Sequence, residues 1–249
     1  MDGKLSYLKR YLDESSYVVA LCGSGMMEEG GYIGVKKQTR DYEIEREYGY
    51  SADEIFSSAF YNTRPELFFD FYKKEMLLHA PKPTKSGPAL AALERLGKLH
   101  CIVDSNIYEQ ARDAGCGNVI SLHGSIKQNQ CPRCKRMYPL SYVAESKRVP
   151  LCETCGIPVR PLVSLFGEQV DSQLMTRTTE EVTKADMLLL LGTRLDSEVF
   201  RHYISYFEGK YMAIIHRQDH YMDHLADVVI VDEPKNVLPE LVRLYGVEV

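Results

Sequence analysis

No apolar run in this 249-residue chain approaches the ~20 residues needed to span a bilayer, so no membrane partner is expected. The first fifteen residues are charged and amphipathic and lack the apolar centre of a secretory signal. Positive charge is not in surplus either: 30 Lys and Arg face 35 Asp and Glu, a net charge of -5. Broad nucleic-acid affinity needs excess cations to neutralise phosphates. No nucleic-acid partner is therefore expected, and a metal-ribbon adaptor for nucleic acid is disfavoured on the same ground. Internal repeats and low-complexity tracts are absent. The seven cysteines are odd in number, which argues against a disulfide framework and for a reducing, cytoplasmic setting.

What is present fits a soluble globular protein. Hydrophobic residues make up 45% and charged residues 26%, ordinary values that allow a sizeable core. The length suits one large domain or one domain carrying an insert. Four cysteines stand in two knuckles, Cys131-Pro132-Arg133-Cys134 and Cys152-Glu153-Thr154-Cys155. Each knuckle turns tightly enough to aim two sulfurs at one point. Two of them at this separation have the spacing of a four-thiolate zinc site. Four thiolates leave no open coordination position, so the zinc is expected to be structural. The other three cysteines, Cys22, Cys101 and Cys116, are expected to be packing residues.

Secondary-structure signals alternate along the chain. Leu5, Leu8 and Leu12 recur at helical spacing through Lys4 to Glu14. Tyr17 to Leu21 is an almost fully apolar run, as a strand buried on both faces should be, and it ends in Cys22-Gly23-Ser24-Gly25. A strand feeding a glycine turn begins many dinucleotide-binding units, but the third glycine of GxGxxG falls on Glu28, and a plain strand-to-helix turn explains the pattern about as well. Tyr32 to Tyr50 lacks a clear period and reads as a flexible or lid-like connection. Thr63-Arg64-Pro65-Glu66 has the form of a capping box, with Thr63 as N-cap. The helix it would start carries Leu67, Phe68, Phe71 and Tyr72 as a core stripe.

Further strands are expected at Cys101–Val103, Val119–Leu122, Met187–Leu191, Tyr211–Ile215 and Asp227–Val231, and Pro161–Glu168 reads as strand then turn. Helices are expected at Ala89–Leu96, Tyr108–Asp113, Thr176–Lys184 and Asn236–Tyr245. This alternation implies an α/β fold, a doubly wound parallel Rossmann-like sheet with a small inserted zinc-ribbon and helical domain. The expected partition gives 1–31, 76–125 and 160–249 to the nucleotide-binding domain, 32–75 to the helical or lid part of the small domain, and 126–159 to the zinc module. Ligands of such sheets sit at the carboxyl ends of strands, and Gly23, Asn106, His123, Gly192 and His216 all occupy such ends. His216, His220 and His224 recur every four residues, but Asp219 and Asp223 lie between them, so a solvated connection fits better than a metal site.

Taken in order, Gly23-Ser24-Gly25, the Ala59–Met76 region, Asn106-Ile107, Leu122-His123-Gly124-Ser125, the four knuckle cysteines, Phe166-Gly167-Glu168 and Gly192-Thr193 resemble the sirtuin (Sir2) family. The resemblance runs from Val18 almost to the end. It implies an NAD-dependent protein-lysine deacylase that uses NAD or a related nucleotide, with acyl-lysine protein or peptide as partner. In the family, the acyl oxygen of a modified lysine attacks the nicotinamide ribose and expels nicotinamide. A histidine, here His123, then serves as general base on a ribose hydroxyl, with Asn106 as the second catalytic candidate. Products are deacylated lysine, nicotinamide and an acyl-ADP-ribose. The resemblance further implies cofactor contacts at Gly23, Ser24, Gly25, Ser105, Asn106, Gly192, Thr193, Arg194 and His216. Phe166, Gly167 and Glu168 would pair with the peptide as an added strand.

The same comparison exposes departures. Where the family reads GAGISxxSGIPDFR, this chain reads GSGMMEEGGYIGVK, so Asp-Phe-Arg becomes Gly34-Val35-Lys36 and Met27 replaces a small hydroxyl residue. In the family's TQNID stretch, Tyr108 replaces the carboxylate that receives the nicotinamide amide. Arg194 replaces a serine, and His216 stands where an asparagine usually meets the adenosine ribose. Cations at Arg194 and Lys36 suit an extra phosphate or ADP-ribose. The alternative expectation is therefore a sirtuin-fold protein that binds another nucleotide (ADP-ribose, NADP) or a partner protein without deacylating.

Overall fold

A computed structural model describes residues 2–35 and 37–249. Among the described residues nine strands form: β1 (Val18–Cys22), β2 (Cys101–Asp104), β3 (Val119–Ser121), β4 (Gly124–Gln130), β5 (Met137–Tyr138), β6 (Arg160–Val163), β7 (Met187–Leu191), β8 (Tyr211–His216) and β9 (Val228–Val231). The chain divides into two units. One comprises 1–30, 82–122 and 171–249; the other comprises 31–81 and 123–170.

The first unit is built on a six-stranded parallel sheet of order β3-β2-β1-β7-β8-β9. From β1 the chain winds outward through β2 and β3, then returns to the other side of β1 and winds outward again. That reversal between β1 and β7 is the switch point of a doubly wound fold. Central strands β1 and β7 are buried at every residue, because helices cover both faces. Alternation sends Val18, Ala20 and Cys22 into one apolar cluster and Val19 and Leu21 into the other. Leu5, Leu8 and Leu12 of the helix Asp2–Glu14 pack into the first cluster, as their spacing predicts. Cys22, Cys101 and Cys116 are buried free thiols in these clusters.

Buried polarity braces this unit as well. Glu29 accepts from the Thr84 hydroxyl at 2.6 Å and from the Lys235 N–H at 2.7 Å. It thereby caps the helix Pro234–Arg243 with a side chain about two hundred residues away in sequence. Burial raises its pKa.

The second unit holds a three-stranded antiparallel sheet of order β5-β4-β6, together with the helical segment. The apolar run at Pro161–Leu165 therefore does not join the parallel sheet; as β6 it pairs antiparallel with β4. Two further expectations fail here for local reasons. Tyr32–Tyr50 is not a featureless connection, since Gln38–Tyr48 is a helix ended by Gly49 at φ 74°. Its charges are used in pairs, Arg40 with Glu43 at 2.8 Å and with the buried Glu75, while Ile44 and Tyr48 turn inward. Lys36 lies outside the described residues. Thr63 is not an N-cap: it is the last residue of the helix Ser58–Thr63, and its hydroxyl donates back to Ala59 C=O at 2.7 Å. Pro65 then starts the next helix at N1. The capping box that does form is Ser51 with Glu54.

The expected aromatic stripe is core. Phe56, Phe68 and Tyr72 stack at centroid distances of 5.9 to 6.1 Å, with Tyr61 edge-on to Phe68 at 5.5 Å. Tyr72 begins a π-helical turn, Tyr72–Leu77, and its buried hydroxyl has no hydrogen-bond partner among the described residues.

Candidate functional site

The carboxyl ends of β1, β2, β7 and β8 frame a cleft of about 440 Å³ in the first unit. Gly23, Ser24, Gly25, Ser105, Gly192, Thr193, Arg194 and His216, all marked in the sequence, line it. The glycines are there because two turns touch. A Cβ on Gly25 would lie 2.6 Å from Gly192 Cα, and one on Gly23 would lie 2.7 Å from Gly192 O. Gly192 itself sits at φ 58°. The turn's own donors weld this contact, with Gly23 N–H bonded to Leu191 O and Gly25 N–H to Gly192 O, each at 2.9 Å. A dinucleotide's pyrophosphate needs backbone unshielded by side chains, and both glycine turns border the cleft.

Sequence reasoning missed part of the lining: Glu28, Ser197, Glu198, Val199, Arg217 and Gln218. Glu28, on the third-glycine position, is paired with Arg217, which also reaches Glu233 at 3.7 Å. No local pattern could reveal a pair so distant in sequence. Arg194 is more than half exposed and lies 3.2 Å from Asp196.

Asn106 is brought to the strand end but is buried and committed. Its amide nitrogen donates to both Asp104 oxygens, at 2.6 and 2.7 Å, and its Oδ1 accepts from Tyr108 N–H at 2.7 Å. Asp104 is fully enclosed, and burial pushes its pKa up to about 7 against the lowering effect of the Asn106 bonds. Tyr108, in the place of the family carboxylate, is buried.

The remaining site residues belong to the second unit. His123 follows β3 by two residues and is half-buried; its C=O accepts from Ser164 N–H at 2.9 Å. Burial lowers its pKa, so the ring is neutral at neutral pH. Gly124 must be glycine, since it has φ 75° and a Cβ there would meet Leu162 O at 2.0 Å, where β4 pairs with β6. Phe166 has both main-chain groups engaged, N–H to Phe56 O and C=O to Ser58 N–H. The Glu168 N–H bonds Leu165 O, and its carboxylate accepts two bonds from Arg160. Of the three residues expected to pair with a peptide, Gly167 is the one whose backbone makes no hydrogen bond among the described residues.

Cys131, Cys134, Cys152 and Cys155 converge with all four sulfurs within 4.8 Å of one another, the one such group of potential metal ligands among the described residues. Four thiolates at about 2.3 Å from zinc form a tetrahedron with edges of about 3.8 Å. Cys134 and Cys152 are 3.6 Å apart, far from the ~2.05 Å of a disulfide. The Tyr138 hydroxyl donates to Cys152 at 3.2 Å and pushes its pKa down to about 6. Desolvation and the neighbouring sulfurs hold Cys155 up at about 12. A divalent cation at the centre relieves that conflict, so the donor set fits structural zinc. The histidine series forms no comparable group: His224 Nδ1 faces Tyr221 O at 2.8 Å, and the segment is not a continuous helix.

Comparison with known proteins now decides the family. The sequence profile of the Sir2 family matches residues 36–198. The chain belongs to the Sir2 family. It is 33% identical over 97% of its length to the whole of a Clostridium perfringens protein named NAD-dependent protein deacetylase. It is 32% identical, over 96% of its length and 98% of the relative's, to a protein of the same name from Clostridium acetobutylicum. Among solved structures, a chain from a study of the structural basis of sirtuin substrate affinity superposes with a TM-score of 0.86 at 25% identity, covering 96% of this chain and 98% of that one. The profile match starts beyond the Gly23–Gly31 segment of this Sir2 protein.

Proposed function

We propose that this Sir2-family protein is an NAD-dependent protein-lysine deacylase, transferring the acyl group of a modified lysine to ADP-ribose with release of nicotinamide. The observation that carries the reading is near full-length similarity to clostridial relatives named NAD-dependent protein deacetylase. Two local features support it. The glycine turns of β1 and β7 frame a cleft at the switch point, suited to a dinucleotide. His123 is kept neutral by burial, the state a general base requires.

In this reading His123 takes a proton from a ribose hydroxyl. Gly23, Ser24, Gly25, Ser105, Gly192, Thr193, Arg194 and His216 hold the nucleotide, Asn106 supports it, and Phe166, Gly167 and Glu168 guide the peptide. The zinc cysteines act structurally. The buried thiols and the cysteine cluster suit a reducing, cytoplasmic setting, and among the described residues no helix is long and apolar enough to cross a membrane. The test is nicotinamide release from NAD in the presence of acyl-lysine peptides of varied chain length. Release should require peptide and be abolished by His123→Ala; no release with any acyl chain would end the deacylase reading.

A second reading is favoured by one arrangement, the Asn106 amide spent on Asp104 beside a buried Tyr108. There the protein binds NAD, NADP or ADP-ribose without deacylating. A ligand-dependent rise in melting temperature with no nicotinamide release would favour it.

A further inference from the structure

The first unit holds a second hollow, of about 500 Å³, whose side-chain charge is unlike that of the nucleotide cleft. Glu28 lines the cleft and Glu29 lines the hollow, so adjacent residues at the end of one turn serve different cavities. In the cleft, Arg194 and Arg217 are matched by Glu28 and Glu198. The hollow instead gathers Lys82, Lys85 and Lys235 against the single carboxylate of Glu29. That carboxylate is already used, since it accepts from the Thr84 hydroxyl and from the Lys235 N–H. Lys235 Nζ reaches Glu29 O at 3.0 Å and Glu233 at 2.7 Å. Lys82 and Lys85 are exposed, and neither ammonium has a carboxylate partner among the described residues.

Exposed lysines are ordinarily solvated and mobile, and ordering them costs side-chain entropy. Here the backbone that carries them is held. Lys82 N–H donates to Gly30 O at 2.9 Å, and its C=O accepts from Gln110 Nε2 at 3.2 Å. Thr84 is tied through its hydroxyl to Glu29 and accepts from the Ser86 N–H at 3.3 Å. Pro83 and Pro88, whose rings fix φ, flank this stretch and give the hollow an apolar wall. A rim held in this way lowers the cost of bringing its cations round a ligand.

We infer that this hollow is a second ligand site, for a small phosphate monoester, with Lys82 and Lys85 holding the phosphate and the proline wall meeting the carbon skeleton. Lys235 adds charge from the helix Pro234–Arg243. An ammonium is a compact point charge that suits a phosphate oxygen. The volume lies within the range of small-molecule sites and exceeds what a bare phosphate fills. In a chain of net charge -5, this local surplus of cations selects for an anion where most of the surface repels one.

The experiment is calorimetric titration of the full chain with ribose 5-phosphate, inorganic phosphate and ribose at one ionic strength. Ribose 5-phosphate should bind, inorganic phosphate about tenfold more weakly, and ribose not at all. The double variant Lys82→Gln/Lys85→Gln should weaken the sugar phosphate by about tenfold or more. Lys82→Arg/Lys85→Arg, which keeps both charges, should hold the affinity within about threefold. Both side chains are exposed, so melting temperatures without ligand should match the wild type. No binding of ribose 5-phosphate overturns the site. Equal affinity for inorganic phosphate overturns the monoester as its ligand. Unchanged affinity in the glutamine variant shows that the phosphate sits elsewhere, in the nucleotide cleft for example, and overturns the inference as well.

Discussion

The two units place their polar chemistry by opposite means. In the first, positions are set by backbone: parallel strands end at one level, and glycine turns press together until Gly25 and Gly192 leave no room for a Cβ. In the second, the sheet has three strands, one of them two residues long, and such a sheet is marginal without further support. There the cysteine cluster supplies the constraint that a large core supplies elsewhere. The lesson is that one unit of a chain can hold its edge by packing and the other by a metal clamp.

The largest effect should come from breaking the clamp. Structural zinc contributes on the order of 10–16 kcal/mol of apparent binding energy in small zinc domains. Cys152→Ser, or removal of zinc by a chelator, should abolish stoichiometric zinc and strip hydrogen-exchange protection from β4 and β6, while β1 and β7 keep theirs. Retained protection in β4 without metal would show that packing alone supports that sheet.

A smaller effect tests the opposite pole. Gly25→Ala puts a Cβ into the Gly192 backbone and should cost about 1–3 kcal/mol in denaturant unfolding, with weaker nucleotide binding. Gly34→Ala, with nothing among the described residues within 4 Å of its Cβ, should stay within about 0.5 kcal/mol. Equal midpoints for the two variants would remove the close approach as the reason for the glycine.

The smallest effect concerns the buried carboxylate of the parallel unit. Asp104 has a folded pKa of about 7, above its ordinary 3.8. The folded state therefore holds a proton that the unfolded state has released between those values. Its contribution to stability is whole below about pH 4 and is lost as pH rises toward 7. Asp104→Asn abolishes this titration, so melting temperatures at pH 5 and pH 8 should show the variant gaining on the wild type by on the order of 1 kcal/mol. A constant difference across that range would refute the buried charge.

Much of this could be read before folding. Val18–Cys22 and Met187–Leu191 are apolar throughout because both their faces are covered, and that pattern is visible in a string of letters. The cysteine knuckles were equally plain, since ligand spacing is a local property. Less legible was the helix Gln38–Tyr48, whose stability comes from charge pairs, one of them with Glu75, rather than from an apolar period. Thr63 had the right letters for a cap, but its hydroxyl was already taken by the helix before it.

Legible in the letters alone were the parallel, doubly wound sheet, the zinc donors, the strand-end residues and the resemblance to the Sir2 family. These depend on periodicity, on spacing and on short motifs. Tertiary structure alone decided that Glu29 caps a distant helix, that Arg217 answers Glu28, and that Asp104 ties down Asn106. Each of these pairs a buried or half-buried charge with a partner. Apart from the two-residue spacing of Asp104 and Asn106, that partner becomes a neighbour only when strands and loops are packed. The cost of leaving such groups unpaired then makes the pairing part of the fold.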